Sequence, residues 1–301
     1  MKRVRILVIG AGFLGRALAL RLAAEGDGVT VLSPRADAAD WPEGVAAVRG
    51  RQEDAALVGE LLARHDTVIH AAWGTTPGSS AGRPAVEAEK GLNPFLAFLG
   101  TLQRFPAARL LFLSSGGTVY GDPEKLPVTE DAPLRPRSCH GAGKAAAEFF
   151  LGLRAQDKTI ILRPSNIYGP GQSLRSGFGV VRHLLACTIE DKPFQLWGDG
   201  EQVRDYLYID DFTEAVCRLA MSPAACGAFN LGSGAGISLV ELISRVEKAT
   251  GRTICVQRQP ERGGDVARII LDTYRIRRVI EWAPIVALDE GIGRTWHKVI
   301  K

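Results

Sequence analysis

The chain has 301 residues, enough for one large domain or two modest ones. Its 46% hydrophobic and 23% charged residues are the balance of a soluble globular protein, and no stretch approaches the roughly 18 apolar residues that would cross a bilayer. The net charge of +4 is mild and the arginines are scattered, which argues against the basic stripe of a nucleic-acid binder.

The apolar run at 4–9 enters a glycine loop with no cleavage site, so it reads as a first strand and not as a signal peptide. "VIGAGFLGRALAL" then places Gly10, Gly12 and Gly15 between that strand and a helix predicted at 13–25. One glycine allows the tight turn, the next lets the backbone approach a pyrophosphate, and the third lets helix and sheet pack closely. The first helical turn, with Phe13 and Leu14, offers free N–H groups and a positive dipole end to the phosphates. A dinucleotide cofactor follows, NAD or NADP. The second strand, at 29–32, should end in a carboxylate if the ribose hydroxyls of NAD are to be held. It ends in "VTVLSPR", with Ser33 at that place and Arg35 two residues on, which tips the reading toward the 2′-phosphate of NADP. Arg35 as a solvated loop arginine is the alternative.

Further apolar runs at 45–48, 67–71, 110–114 and 159–162 alternate with helical stretches at 54–64, 86–105 and 142–154. Near-continuous β-branched strands separated by helices predict an α/β fold, a Rossmann-type doubly wound parallel sheet covered on both faces. His70, at the end of one strand, reads as a packed histidine. "RLLFLSSGGTVYGD" breaks from a buried strand into a Ser/Gly loop, and ligands of open sheets bind at carboxyl ends of strands, so Ser114, Ser115 and Thr118 fall near the cleft. "HGAGK" opens the next helix with His140 and Lys144 four residues apart, on one face. A lysine one turn from an acid/base group lowers that group's pKa and can also hold the nicotinamide ribose.

After Pro164 the rhythm changes. "RPSNIYGPGQ" reads as a long loop, followed by shorter elements at 194–197, 206–209, 238–249 and 254–257. This suggests a dinucleotide-binding domain at 1–165 and a smaller substrate-binding lobe at 166–301, interleaved with the first. The five cysteines, Cys139, Cys187, Cys217, Cys226 and Cys255, show neither a CxxC pair nor metal spacing and suit reduced thiols of a cytoplasmic protein. No metal site is expected.

Taken together, "GAGFLG", "VIHAA", "SSGGTVYG", a P-x-S-x-x-G-x-x-K frame at 136–144, "LRPSNIYGPGQ", "WGDGEQVRDYLYIDD" and "RGGD" resemble the extended short-chain dehydrogenase/reductase family. The branch is that of the NAD-dependent epimerases and dehydratases, typified by UDP-galactose 4-epimerase. The resemblance implies a Ser/Thr–Tyr–Lys triad. Lys144 fits the lysine, His140 falls on the tyrosine, and the serine position falls on Gly116, with Ser115 one step away. It further implies that Ala71 and Ala72 pass under the nicotinamide ribose. Asn166, Arg204, Arg262 and Asp265 would hold a nucleotide-sugar, and "GRQED" (50–54) would carry Arg51 and Gln52 where an Asp–Leu pair usually meets the adenine. For Arg204, an ion pair with Asp210 or Asp211 is the alternative. A homodimer built on the helices at 86–105 and 142–154 is implied as well.

An imidazole has an ordinary pKa near about 6.5 and could serve as base, with Lys144 keeping it neutral and Ser115 or Thr118 donating a hydrogen bond. The expected activity is NAD(P)-dependent epimerisation of a nucleotide-sugar by hydride transfer at a ring carbon, C4 first. An NADPH-dependent ketosugar reductase and a catalytically inactive binding protein are the alternatives.

Overall fold

The computed structural model describes residues 4–154, 156–173, 179–261 and 266–300. Arg262 and Asp265 lie outside the described residues. The first half runs β1 (Arg5–Ile9), α1 (Phe13–Ala24), β2 (Gly28–Ser33), β3 (Val45–Arg49), α2 (Ala55–Leu62), β4 (Thr67–His70), α3 (Pro84–Glu87), α4 (Asn93–Leu102), β5 (Arg109–Leu113), α5 (Gly116–Val119), α6 (Cys139–Leu151) and β6 (Thr159–Pro164). The helix expected at 86–105 is not continuous: α3 hands over to a π-turn at Ala88–Leu92 before α4 begins. Pro94 explains the restart, since it has no N–H for the preceding turn and is tolerated in the first turn of a new helix.

The second half runs β7 (Asn166–Tyr168), α7 (Val180–Glu190), β8 (Phe194–Trp197), β9 (Val203–Tyr208), α8 (Ile209–Met221), β10 (Gly227–Leu231), β11 (Gly236–Ser238), α9 (Leu239–Thr250), β12 (Val256–Gln259), α10 (Tyr274–Ile280) and α11 (Leu288–Val299). The stretch expected as a long loop after Pro164 therefore contains a strand, β7. It forms because Asn166–Tyr168 finds β9 as a parallel partner from far along the chain.

The main sheet has the order β10-β6-β5-β4-β1-β2-β3 and every pairing in it is parallel. Alternate side chains of each strand feed opposite faces. Ile6, Val8, Val29 and Val31 pack with Leu18 and Leu22 of α1 on one side. Leu7, Ile9, Leu32 and Val68 pack with α2 and with Phe95, Phe98 and Leu102 of α4 on the other. Both faces are thus covered, and the strands are apolar throughout for that reason. The sheet does not end at residue 165: β10 comes from the second half and docks on β6, and α8 packs on α1. The second half also forms the three-stranded sheet β11-β9-β7 and the pair β12-β8.

Strand order reverses between β1 and β4, and the carboxyl ends of β1, β2 and β4 are flush, Ile9 pairing with Leu32 and with His70. A crevice opens there, where such sheets bind their ligands.

Candidate active site

At this crevice lies a cleft of about 710 Å³. It is lined at one end by Gly12, Phe13, Leu14, Gly15, Arg16 and Arg35, in the middle by Ala71, Ser115, Thr118, His140 and Lys144, and beyond them by Asn166 and Arg204. Residues read from four separate motifs thus face one space.

The glycine loop is built by contact. Gly10 has φ of +102°, and a Cβ there would come within 2.7 Å of the Ala72 nitrogen. A Cβ on Gly15 would lie 1.9 Å from the Gly10 carbonyl oxygen. Gly10 and Ala72 therefore form the wall behind the cleft and do not line it. At Gly12 a Cβ would meet nothing of the chain. The turn that follows has no side-chain cap, so the N–H groups of Phe13, Leu14 and Gly15 remain for a ligand. This open, uncapped helix start fits a dinucleotide pyrophosphate.

Ser33 differs from its expected role. It is buried and its hydroxyl accepts the backbone N–H of Arg35 at 3.4 Å, closing the turn and keeping it off the cleft. Arg35 does face the cleft. Gln52 is drawn inward to His70, 2.6 Å from Nε2, while Arg51 pairs with Glu53 at the surface. His70 sits among Phe95, Phe98 and Phe112, and burial pushes its pKa down to about 3.

The corner expected to be catalytic is assembled on α6. Ser138 caps the helix by accepting the Gly141 N–H, which fixes where His140 starts its first turn. Lys144 is buried, donates to the Leu113 carbonyl at 2.6 Å and lies 4.0 Å over the Trp73 ring. Burial lowers its pKa to about 7, against the pull of the Glu87 and Glu148 carboxylates. His140 is also buried, its Nδ1 3.4 Å from the Thr75 hydroxyl and 3.9 Å from Glu87 Oε1. The ordinary imidazole value does not survive this setting: burial first, and Lys144 second, push it down to about 3. His140 is neutral throughout the physiological range.

Gly116 cannot be the serine that the resemblance asks for. A Cβ there would lie 2.7 Å from the Arg163 carbonyl and 2.7 Å from a Leu271 methyl. Ser115 and Thr118 line the cleft instead, the Thr118 hydroxyl turned back to the Ser115 carbonyl at 3.5 Å. Tyr120 is not placed for the tyrosine's expected role. It is buried off the cleft, donates to Asn230 at 2.7 Å, accepts from Arg163 at 2.8 Å, and is pushed up to about 12, mainly by burial. Tyr168 and Tyr206 do line the cleft, and burial raises both above the ordinary phenol value.

On the substrate side Asn166 donates to the Asp205 carbonyl at 3.0 Å and Arg204 to the Val203 carbonyl at 3.0 Å. Asp210 is engaged by Arg294 at 3.7 Å, and Asp211 accepts the backbone N–H groups of Ile285 and Val286. Among the described residues no cluster suits a metal ion, and no helix is long and apolar enough to cross a membrane.

The model of the NAD dependent epimerase/dehydratase family matches residues 6–232. The chain belongs to that family. A UDP-glucose 4-epimerase of Mycolicibacterium smegmatis is 35% identical over 97% of each chain. A dTDP-4-dehydro-6-deoxyglucose reductase of Escherichia coli is 33% identical over 78% of this chain and 76% of its own. The crystal structure of a UDP-glucose 4-epimerase of Thermus thermophilus, in complex with NAD, superimposes with a TM-score of 0.89 at 32% identity, covering 98% of each chain. This member of the epimerase/dehydratase family is thus an NAD(P)-binding enzyme of the epimerase and oxidoreductase type.

Among the residues that the sequence reading did not single out, Arg16, Trp73 and Thr75 line the cleft and Glu87 lies behind them. Glu87 is buried, accepting from Trp73 Nε1 at 2.8 Å and from the Thr75 hydroxyl at 2.6 Å. In sequence it looks like a solvated helix charge. The available signal was indirect: Gly91 and Gly143 stand inside helical stretches, where glycine is disfavoured without a packing reason.

Proposed function

We propose that the protein is an NAD(P)-dependent nucleotide-sugar epimerase acting at a ring carbon, C4 first, with His140 in the proton-transferring role. The observation that carries this is the convergence of His140, Lys144 and the uncapped glycine-loop helix on one cleft that continues to Asn166 and Arg204. Tyr168 and Tyr206, which line that cleft, are both raised above the ordinary phenol value by burial, which supports reading the histidine as the proton acceptor.

Bound NAD(P) supplies the acceptor, and later the donor, of a hydride. His140 Nε2 takes the proton of the sugar hydroxyl as that hydride leaves the ring carbon, and gives it back when the hydride returns. Lys144 would hold the nicotinamide ribose and favours the neutral imidazole. Ser115 and Thr118 orient the hydroxyl. Asn166 and Arg204 would hold the nucleoside diphosphate, guanidinium groups being suited to its oxygens, a role that the resemblance extends to Arg262, with Asp265 for the ribose hydroxyls. Epimerisation requires the hydride to return on the opposite face of the ring, so the substrate has to turn over within the cleft.

The cofactor is read as NADP, since β2 ends without a carboxylate and Arg35 faces the cleft. Arg35→Ala should weaken NADP binding about tenfold and leave NAD within about twofold in titrations of the two. Equal losses for both would refute this preference. A second reading, ketosugar reduction, is favoured by that same preference, because a reductase exchanges its cofactor at each turnover. A homodimer is supported by Phe149, Phe150 and Leu153, 67%, 44% and 84% exposed along and just beyond α6, whereas the apolar face of α4 is spent on the sheet. Sedimentation at equilibrium would show it. All five cysteines are free thiols, in keeping with a cytoplasmic setting.

The deciding experiment incubates the purified protein with NAD or NADP and UDP- or dTDP-sugars and follows the C4 epimer by NMR. Epimer formation without net cofactor consumption supports the epimerase. Stoichiometric oxidation of NADPH by a 4-ketosugar supports the reductase, and neither reaction leaves a binding protein.

A further inference from the structure

We propose that Glu87 is the positioning residue of the histidine: acting through Thr75, it holds His140 as the Nδ1–H tautomer, so that Nε2 presents a bare lone pair to the cleft. This rests on reading His140 as the proton acceptor.

The argument is a count of hydrogens. A carboxylate only accepts, and a threonine hydroxyl has a single hydrogen to give. That hydrogen goes to Glu87 Oε2, at 2.6 Å. Toward the imidazole the Thr75 oxygen can therefore only accept. The Nδ1 atom facing it, 3.4 Å away, has to carry the ring proton. The other oxygen of Glu87 takes the Trp73 Nε1–H at 2.8 Å and lies 3.9 Å from the same Nδ1. Trp73 in turn stands edge-on to the imidazole, ring centres 6.4 Å apart. For Nε2 the described residues show no partner, and His140 lines the cleft.

Local structure makes room for the carboxylate and for little else. Glu87 closes α3 immediately before the π-turn, a feature that recurs at functional sites. A Cβ on Gly91 of that turn would come within 2.7 Å of Glu87 Oε1, and one on Gly143 of α6 within 2.6 Å. Gly143 lies three residues after His140, on the same helical face. The helix that supplies the imidazole therefore also supplies the gap through which the carboxylate reaches it. A carboxylate beside Nδ1 also offsets the charge on the ring once Nε2 has taken a proton, a state that burial and Lys144 otherwise oppose. Proton transfer runs from the sugar hydroxyl to Nε2, and the Nδ1 hydrogen stays where it is.

The test is nitrogen NMR of protein labelled in its histidine rings and loaded with NAD or NADP, whichever binds more tightly. The His140 signals are assigned by their loss in His140→Gln. The wild-type ring should be protonated on Nδ1 alone. In Glu87→Gln and in Thr75→Val the single tautomer should give way to a mixture, with kcat falling at least about tenfold and KM for the nucleotide-sugar staying within about twofold. A merely structural role for Glu87 would not move the tautomer. Should Glu87→Gln fail to fold, the wild-type ring and Thr75→Val decide. A wild-type ring protonated on Nε2, or a tautomer unchanged in both variants, overturns the proposal. Undiminished turnover in His140→Gln beside an Nδ1-protonated wild-type ring would instead sink the base assignment, and with it any catalytic purpose for the lock.

Discussion

Two buried polar clusters lie near the cleft, and they are finished differently. Around Arg163 every partner is matched. Its guanidinium grips Glu148 through Nε and Nη2, at 3.0 and 2.6 Å, and gives Nη1 to Tyr120 and to the Glu130 carbonyl, both at 2.8 Å. Tyr120 passes its own hydrogen to Asn230, whose amide is bonded to Val128 and Asp272, and the Ser114 hydroxyl completes Glu148. Around His140 the proposed chain of donors runs from Nδ1 to Thr75 to Glu87, and among the described residues Nε2 has no partner. A closed network fixes structure. An open valence held in place by such neighbours is where a proton can be taken, and this difference separates the tyrosine that the fold keeps from the histidine proposed above as the base.

The largest effect expected from this contrast is on stability. Glu148→Ala strands a buried guanidinium and should cost about 3–5 kcal/mol in urea unfolding, whereas Thr75→Val, at the open cluster, should cost less than half of that. Equal losses would erase the distinction. Next in size is Gly116→Ser. Placing the serine of the family pattern there forces Cβ against the Arg163 carbonyl at 2.7 Å, and should cost about 1–3 kcal/mol without raising activity. A stable and faster variant would show that the position is open after all.

The smallest effect is on pH dependence. His70 and His140 have folded pKa values of about 3, against about 6.5 in the unfolded chain, so between these limits only the unfolded state takes up their protons. Stability should therefore fall as pH drops through this window, each histidine contributing a slope of about 1 kcal/mol per pH unit. His140→Gln should remove one such share in denaturant titrations across the window, and an unchanged slope would mean that the ring is not sheltered.

Much of this was legible in advance, for identifiable reasons. Parallel strands buried on both faces read as unbroken apolar runs, and β1 to β6 were found that way. The glycine loop was found because its contacts are intolerant: Gly10 and Gly15 have no room for a side chain. The misses are equally physical. The strand β7 depends on a partner, β9, some 40 residues further on, and local propensity is silent about such pairing. The break in the helix at 86–105 was marked by Pro94, but the π-turn comes from packing: a Cβ on Gly74 would sit 2.1 Å from the Lys90 carbonyl. Ser33 was expected to face the cofactor, and a backbone N–H two residues away claimed its hydroxyl first. Glu87 stayed hidden because a glutamate in a helix ordinarily faces water; only burial between Trp73, Thr75 and Gly143 distinguishes it.

The most direct measurement is a single turnover: enzyme loaded with its dinucleotide is mixed with a UDP-sugar, and the reduced-nicotinamide absorbance is followed in wild type and in His140→Gln. The account predicts a rate lower by at least about a hundredfold in the variant, with dinucleotide and UDP-sugar affinities unchanged. A variant that reduces its nicotinamide as fast as wild type would contradict it.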